Sequence, residues 1–288
     1  MRPFLIAEIG NNHNGDESAA IDLVERAIAA GFDAVKFQTR NPAKAIPKLK
    51  SDVSKQTPWG EMSYFEYRKK LELPPHFWDK IGDLTAGRIR WLSSVWDYDS
   101  LEIIGRSKSD YIKIPSAMNN SWNFIKSALE YDKKIIVALG GLSTEEVRYL
   151  IENFSGAIYA YLHCTSLYPP QPHQLNLAFL STLKSICSSE IVGYSCHTPQ
   201  PHVPMAAAAL GAEIIEVHIT HSREAWGTDH KISFQTDELA DLVRGIRQLE
   251  IEIGSAQKCS YPAELARLAE LTDRPPRRLG TLRPLMRQ

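Results

Sequence analysis

Eight short apolar runs rich in Val and Ile, each followed by a segment with helical patterning, predict an α/β chain folded as a TIM (β/α)8 barrel with a short C-terminal extension. The runs are near-continuously apolar, as strands buried on both faces of a parallel sheet must be. The length of 288 residues suits one barrel of about 250 residues plus a tail. A doubly wound sheet is the alternative.

The first strand is read over 4–9, "FLIAEI", and the helix after it over 18–30, capped by Asp16 or Ser18 and ended by Gly31. The second strand is 33–38, "DAVKFQ". A long connection rich in Lys, Pro and Trp follows over 40–75, then a helix over 76–86. Strand and helix then alternate: 89–95 and 98–106, 111–114 and 121–131, 134–139 and 143–154. The last of these helices opens on a Ser143-x-x-Glu146 capping box. The pattern continues with 157–164 and 175–187, 191–195 and 202–210, and 213–219 and 236–253. The barrel domain is read as 1–254 and the extension as 255–288.

Hydrophobic residues make up 43% and charged residues 23%, a composition that builds a core and argues against disorder. Lys and Arg number 33 against 34 Asp and Glu, and the one basic block is Arg274 to Arg278. That balance argues against nucleic acid as a partner and leaves room for a local positive pocket. The four cysteines, Cys164, Cys187, Cys196 and Cys259, form no CxxC pair, and reduced thiols in the cytoplasm are the expectation. The apolar run "FLIA" stops at Glu8, too short for a signal or a membrane span.

Chemistry in this fold sits where the strands end. Glu8, Lys36, Gln38, Ser94, Lys113, Ser116, Tyr168, Ser195, His197 and His218 all lie at or just past such ends, and Asp229 follows the last. Residues two apart on a strand face the same way, so Lys36 and Gln38 can both look into the barrel. A lysine inside an apolar strand is costly unless paired. Lys36 and Lys113, with Ser94, Ser116 and Ser195 at neighbouring ends, suggest a cradle for an anion; structural ion pairing, as of a lysine with Glu8, is the plain alternative. His197 and His218 end adjacent strands, and two imidazoles completed by oxygen ligands suit an ion such as Mn²⁺ or Fe²⁺. Two packed core histidines are the alternative there. Cys196 and His197 point to opposite faces and cannot act as a nucleophile pair. "GNNHNG" (10–15) lacks a phosphate-loop pattern and reads as a tight Asn/Gly turn. The Trp59–Trp78 stretch is a lid or simply packing.

The stretches "IAEIGNNHNGD", "AGFDAVKFQT", "YIKIPSA", "LHCTSLYP", "GYSCHT" and "GAEIIEVHIT…GTDHKIS" resemble the sialic acid synthase family, over about residues 4–254 and in family order. The resemblance implies a metal-dependent condensation of phosphoenolpyruvate with a sugar aldehyde, yielding a 2-keto-3-deoxy sugar acid and phosphate. It implies that Lys36, Ser94, Lys113, Ser116 and Ser195 hold phosphoenolpyruvate, and that His197 and His218 bind a divalent metal, Mn²⁺ before Mg²⁺ or Co²⁺. Glu8, Gln38, Tyr168 and Asp229 match positions facing the metal and the acceptor. Glu8 is in place to orient or deprotonate a water, and His221 and His230 are not ligands. A homodimer is also implied.

Four departures stand out. Met118 replaces a Glu that contacts the acceptor, and Leu139 replaces a Ser that helps bind phosphate. Cys196 replaces an Asp. The C-terminal antifreeze-like domain of the family is missing from this sequence. Met118 and the missing domain, which both remove polar contacts to the sugar, imply an acceptor other than ordinary N-acetylmannosamine. The rivals are a Schiff-base aldolase using Lys36 or Lys113 and a non-catalytic sugar-phosphate-binding paralogue.

Overall fold

A computed structural model describes residues 2–271. Strand β1 (Phe4–Gly10) leads into helix α1 (Glu17–Ala30), whose start is set by the Asp16 carboxylate accepting from the backbone N–H groups of Ser18 and Ala19. Strand β2 (Ala34–Thr39) follows. The long connection then folds as an arm. It holds the short helices α2 (Pro42–Ala45) and α3 (Lys48–Ser51), an antiparallel hairpin of β3 (Ser54–Thr57) and β4 (Gly60–Ser63), and helix α4 (Tyr64–Leu71). That hairpin was not expected, because its strands are polar and half-exposed and carry no apolar run.

Helix α5 (His76–Thr85) restores the alternation, which runs through β5 (Arg90–Val95), α6 (Tyr98–Arg106), β6 (Tyr111–Ile114), α7 (Trp122–Ala128), β7 (Lys134–Ala138) and α8 (Thr144–Asn153). The Ser143–Glu146 capping box is present at α8. Then come β8 (Ala160–His163), α9 (Phe179–Ile186), β9 (Ile191–Cys196), α10 (His202–Ala209), β10 (Ile214–Thr220), the two-residue β11 (Phe234–Gln235) and α11 (Leu239–Ile253). Helix α9 starts four residues later than the sequence pattern suggested, because Asn176 takes a left-handed conformation and interrupts the chain there.

All eight barrel strands are parallel, and β1 pairs with β10 to close the cylinder, so the doubly wound alternative is excluded. A first compact unit covers Met1–Glu252; a second, Ile253–Gln288, carries helix α12 (Pro262–Glu270). The basic block Arg274 to Arg278 lies outside the described residues. Among those residues, no helix is long and apolar enough to cross a membrane.

Period-two alternation sorts the strands into two cores. Outward residues such as Leu5, Ala7, Val35, Phe37, Ile112, Val137 and Val217 pack against the helices. Inward residues at the barrel floor, Ile6, Ala34, Leu92, Tyr111, Ile136, Ala160, Leu162 and Ile214, form a separate apolar plug. Two residues further along, the same inward rows carry Glu8, Lys36, Ser94, Lys113, Ala138 and Glu216. The fold thereby stacks a polar layer directly on an apolar one.

The arm is fixed to the barrel at Gly15, whose φ of 80° favours glycine. A Cβ there would lie 2.0 Å from the carbonyl oxygen of Lys70, at the end of α4. Gly15→Ala should therefore cost about 1–3 kcal/mol, from left-handed strain and overpacking, read as a lowered denaturant midpoint. An unchanged midpoint would show that the arm does not rest on this loop.

Candidate active site

The inward polar layer is an ion network. Lys36 Nζ lies 2.9 Å from Glu8 Oε2 and 3.6 Å from Glu216 Oε1, and donates to Ser94 Oγ at 3.0 Å. Lys113 Nζ donates to Glu216 Oε2 at 2.8 Å, and Ser195 Oγ donates to Glu216 Oε1 at 2.8 Å. Every member is buried. Both lysines are thus ion-paired, as the plain alternative had it, and an anion entering beside them would share them with Glu8 and Glu216. Glu216 is the residue the sequence reading missed. Its signal was available, since it sits two residues before His218 in an apolar strand and must face inward with it.

The charges are not evenly matched. Burial would raise the Glu216 carboxyl, but Lys113 and Lys36 hold it well below the usual range. Burial pushes Glu8 up to about 7, with Lys36 opposing and Glu216 reinforcing the rise. Burial would lower Lys36, yet Glu216 and Glu8 hold it above its ordinary value. Lys113 is lowered by burial, only partly offset by Glu216. Glu216 is therefore the full counter-charge of the cluster, and Glu8 is the weaker one. Lys113 has one hydrogen-bond partner among the described residues, which leaves donors of its ammonium free to face a ligand.

These residues line an inner cavity of about 200 Å³. Ser94, Ser116, Ala138, Cys164, Ser195, His197 and His218 form its walls, with Gln38, Trp96 and Tyr168 at the rim. Ser116 Oγ accepts from the backbone N–H of Gly140 at 3.2 Å and lies 3.3 Å from Cys164 Sγ. His197 and His218 meet at a ring-centroid distance of 5.3 Å, and Tyr168 stacks over His197 at 4.3 Å. The His197 Nδ1–H donates to the Thr165 carbonyl at 2.7 Å, which leaves Nε2 with a free lone pair. Burial lowers both imidazoles to about 4, so both are neutral at physiological pH. His218 Nδ1 is buried with no hydrogen-bond partner.

An outer cavity of about 750 Å³ shares Gln38, Trp96 and Tyr168 with the inner one. Asp229 lines it and accepts from Thr228 Oγ1 at 2.7 Å; burial opposes its ionisation, but His218, Thr228 and His197 together keep its carboxyl low. Gln38 Nε2 donates to Glu8 Oε1 at 3.0 Å, joining the two cavities.

Several expected residues fall elsewhere. Met118 lines neither cavity, because the turn Ser116–Met118 is a 3₁₀ helix and successive side chains there point about 120° apart. It faces Tyr98 and Trp122 instead. Leu139 is buried in the outer core, and Ala138 takes the cavity wall. Cys196 packs outward and donates to the Thr198 carbonyl at 3.4 Å. His221 is exposed, 3.6 Å from Asp22. His230 is buried against Thr220 Oγ1 at 2.7 Å. The "GNNHNG" turn is tied down by its own side chains: Asn12 donates to the Ile219 carbonyl and Ser233 Oγ, and Asn14 to the Trp226 carbonyl. Trp226 in turn packs edge-on against Trp59 and Tyr67 of the arm.

Among the described residues, no group of three or more His, Cys, Asp and Glu side chains is placed to hold a metal ion. The histidine pair still fits a divalent ion whose remaining ligands are water or substrate oxygens. Both rings are neutral, His197 is oriented through its far nitrogen, and the buried His218 Nδ1 has no partner.

A model of the NeuB family matches residues 23–258. The chain is similar to the N,N'-diacetyllegionaminic acid synthase of Campylobacter jejuni, 32% identical over 91% of this chain and 81% of that one. It is also similar to the N-acetylneuraminate-9-phosphate synthase of Homo sapiens, 29% identical over 91% of this chain and 74% of that one. The structure matches that of an N-acetylneuraminic acid synthetase from Leptospira borgpetersenii with a TM-score of 0.82 and 26% identity, covering 94% of this chain and 91% of that one.

Replacing Glu216 by Gln leaves two buried lysines with one weak counter-charge and should destabilise the protein by about 3–5 kcal/mol. Denaturant melts of the variant would show it, and a loss within error would mean the network does not hold the barrel. Glu8 supplies a pH signature. Its carboxyl holds a proton more tightly folded than unfolded, so its contribution is fully present below its ordinary value of 4.5 and lost as pH rises through about 7. Glu8→Gln should accordingly gain stability relative to wild type between those limits. A pH-independent difference would place Glu8 in the ordinary carboxylate range.

Proposed function

Because the chain belongs to the NeuB family and is a synthase of the sialic acid type, we propose that it condenses phosphoenolpyruvate with a sugar aldehyde, giving a 2-keto-3-deoxy sugar acid and phosphate. The observation that carries this reading is the inner cavity itself: two buried lysines, the four serines Ser94, Ser116, Ser166 and Ser195, and a neutral histidine pair converge on about 200 Å³.

The donor's carboxylate and phosphate bind against Lys113, Lys36 and the hydroxyls of Ser94, Ser116 and Ser195, which replace the water the anion gives up. Ala138 offers no hydroxyl, but Ser166 also lines the cavity and adds one. Carbon 3 of phosphoenolpyruvate attacks the aldehyde carbon, forming the new C–C bond, and the aldehyde oxygen takes up a proton. Carbon 2, left electron-poor, adds a water whose proton passes to the Glu8 carboxylate. Collapse at carbon 2 expels phosphate and leaves the keto group. The lysines stabilise the negative charge that gathers on the departing phosphate. A divalent ion held by His197 and His218, Mn²⁺ first among candidates, would polarise the acceptor carbonyl as a Lewis acid. Asp229 and Gln38 border the place where that aldehyde must enter and orient it.

The acceptor differs, on this reading, from ordinary N-acetylmannosamine. Met118 does not support that view, since it lines neither cavity; the make-up of the outer cavity does. Relatives named for a phosphorylated and for an unphosphorylated product are both present, so family membership leaves the acceptor's charge open.

One observation favours a second reading. Lys113 is buried with a lowered pKa, as an imine-forming lysine would be. Borohydride with pyruvate separates the two, for only an aldolase traps a covalent adduct. Calorimetric titration of phosphoenolpyruvate, with and without Mn²⁺, should show binding that Lys113→Ala weakens by about a hundredfold or more, the worth of a charge-assisted pair. His218→Ala should abolish aldehyde-dependent phosphate release while leaving that binding in place. Absence of phosphoenolpyruvate binding under both conditions would overturn the proposal.

A further inference from the structure

We infer that the outer cavity selects an acceptor aldose bearing an anionic substituent, a phosphate or a carboxylate, at the end away from its aldehyde, and that Arg68 and Arg40 bind that group. The inference rests on the condensation proposed above. If the aldehyde meets the histidine pair at the neck formed by Gln38, Trp96 and Tyr168, the rest of the sugar extends into the outer cavity.

That cavity is cationic. Arg40, Lys50, Arg68 and Lys231 line it against one carboxylate, Asp229, which is shared among His218, His197, Arg68 and Arg40. The two arginines are the built part. The Arg68 side chain is 8% exposed, and its Nε and Nη2 are buried with no hydrogen-bond partner. Its nearest carboxylate oxygen is Glu72 Oε1, at 3.7 Å. The same oxygen lies 3.4 Å from Arg40 Nε, which is also without a partner. Glu72 Oε2 is spent on the backbone N–H of Arg40, at 3.0 Å. One carboxylate therefore stands behind two guanidiniums and hydrogen-bonds neither. Burial pushes Glu72 up to about 7, which weakens it further as a counter-charge.

Arg40 is held in place by stacking over Trp96, 4.1 Å from the ring centroid, and by donating to Gln38 Oε1. Its pKa is lowered to about 10, by burial first and Arg68 second, with Glu72 and Asp229 only partly opposing the fall. A purely structural clamp between arm and barrel would use the guanidinium donors. Here Arg40 Nε and Arg68 Nε and Nη2 are buried and unused beside a cavity of sugar size, and an oxyanion group would satisfy such donors. Lys50 and Lys231 are exposed at the rim and add to the attraction.

The test is calorimetric titration, without phosphoenolpyruvate, of N-acetylmannosamine, N-acetylmannosamine 6-phosphate and mannuronic acid into wild type, Arg68→Gln and Lys231→Ala. At least one anionic sugar should bind about tenfold tighter than the neutral one, the 6-phosphate or the uronate naming the source of the charge. Arg68→Gln should erase the preference without changing phosphoenolpyruvate affinity. Lys231→Ala, at an exposed position that does not threaten folding, should weaken the anionic sugar severalfold. Neutral and anionic sugars binding alike, or no anionic sugar binding at all, overturns the inference, as does loss of phosphoenolpyruvate affinity in Arg68→Gln. Anion preference without phosphate release from any aldehyde would leave this inference standing and sink the condensation instead.

Discussion

The buried network of Lys36, Lys113, Glu216 and Glu8 is the constraint on which the barrel turns. Four ionisable groups inside a closed parallel sheet are tolerated only because each lies within reach of an opposite charge. An apolar layer of equal volume would fold as well or better, so the network is weak evidence for stability and good evidence for a site. Its asymmetry matters as much as its pairing. Glu216 is the full counter-ion, while burial holds Glu8 near the neutral form. The lysines are thus unequally countered, and a small anion entering the cavity would share them with Glu8 and Glu216.

The period-two rule explains how much of this was legible in the sequence. Once Lys36 and Gln38 are placed inward, Glu8, Ser94, Lys113, Ser195 and His218 follow by strand register, and the structure brings all of them together. The same rule would have found Glu216 from His218 and Cys164 from Leu162. It would also have chosen Ala138 over Leu139 as the wall residue on β7. Those positions carry no polar signal at a strand end: Glu216 lies inside strand β10, and Cys164 and Ala138 read as apolar. Met118 failed for a different reason: it follows the strand in a 3₁₀ turn, where parity no longer applies.

The arm was the least legible part. Its helices α2 and α3 are one turn long, its hairpin is polar, and its contacts to the barrel are long-range in sequence. Arg40 and Arg68 stand 28 residues apart with no local pattern linking them, and only the fold sets both guanidiniums against Glu72. Propensity arguments have nothing to hold in such a segment, since tertiary packing decides it.

This division between barrel and arm has a physical logic. Chemistry that needs fixed distances sits on strand ends, where register and packing on both sheet faces allow little movement. In the proposed reaction, selection of the acceptor's far end falls to the arm, which touches the barrel through Gly15, the Trp226 contacts and the Arg40–Trp96 stack. A change of acceptor then needs new side chains on the arm and none in the network. The two cavities share only Gln38, Trp96 and Tyr168. Asp229 acts across that neck on His218 and His197, and Gln38 bonds Glu8 on one side and Arg40 on the other. Any acceptor that draws Arg40 toward its anion must alter that hydrogen bond, and through it the partner that helps set the protonation of Glu8. In the proposed reaction, binding of the far end of the sugar and the protonation of Glu8 would thus be coupled through the Gln38 amide.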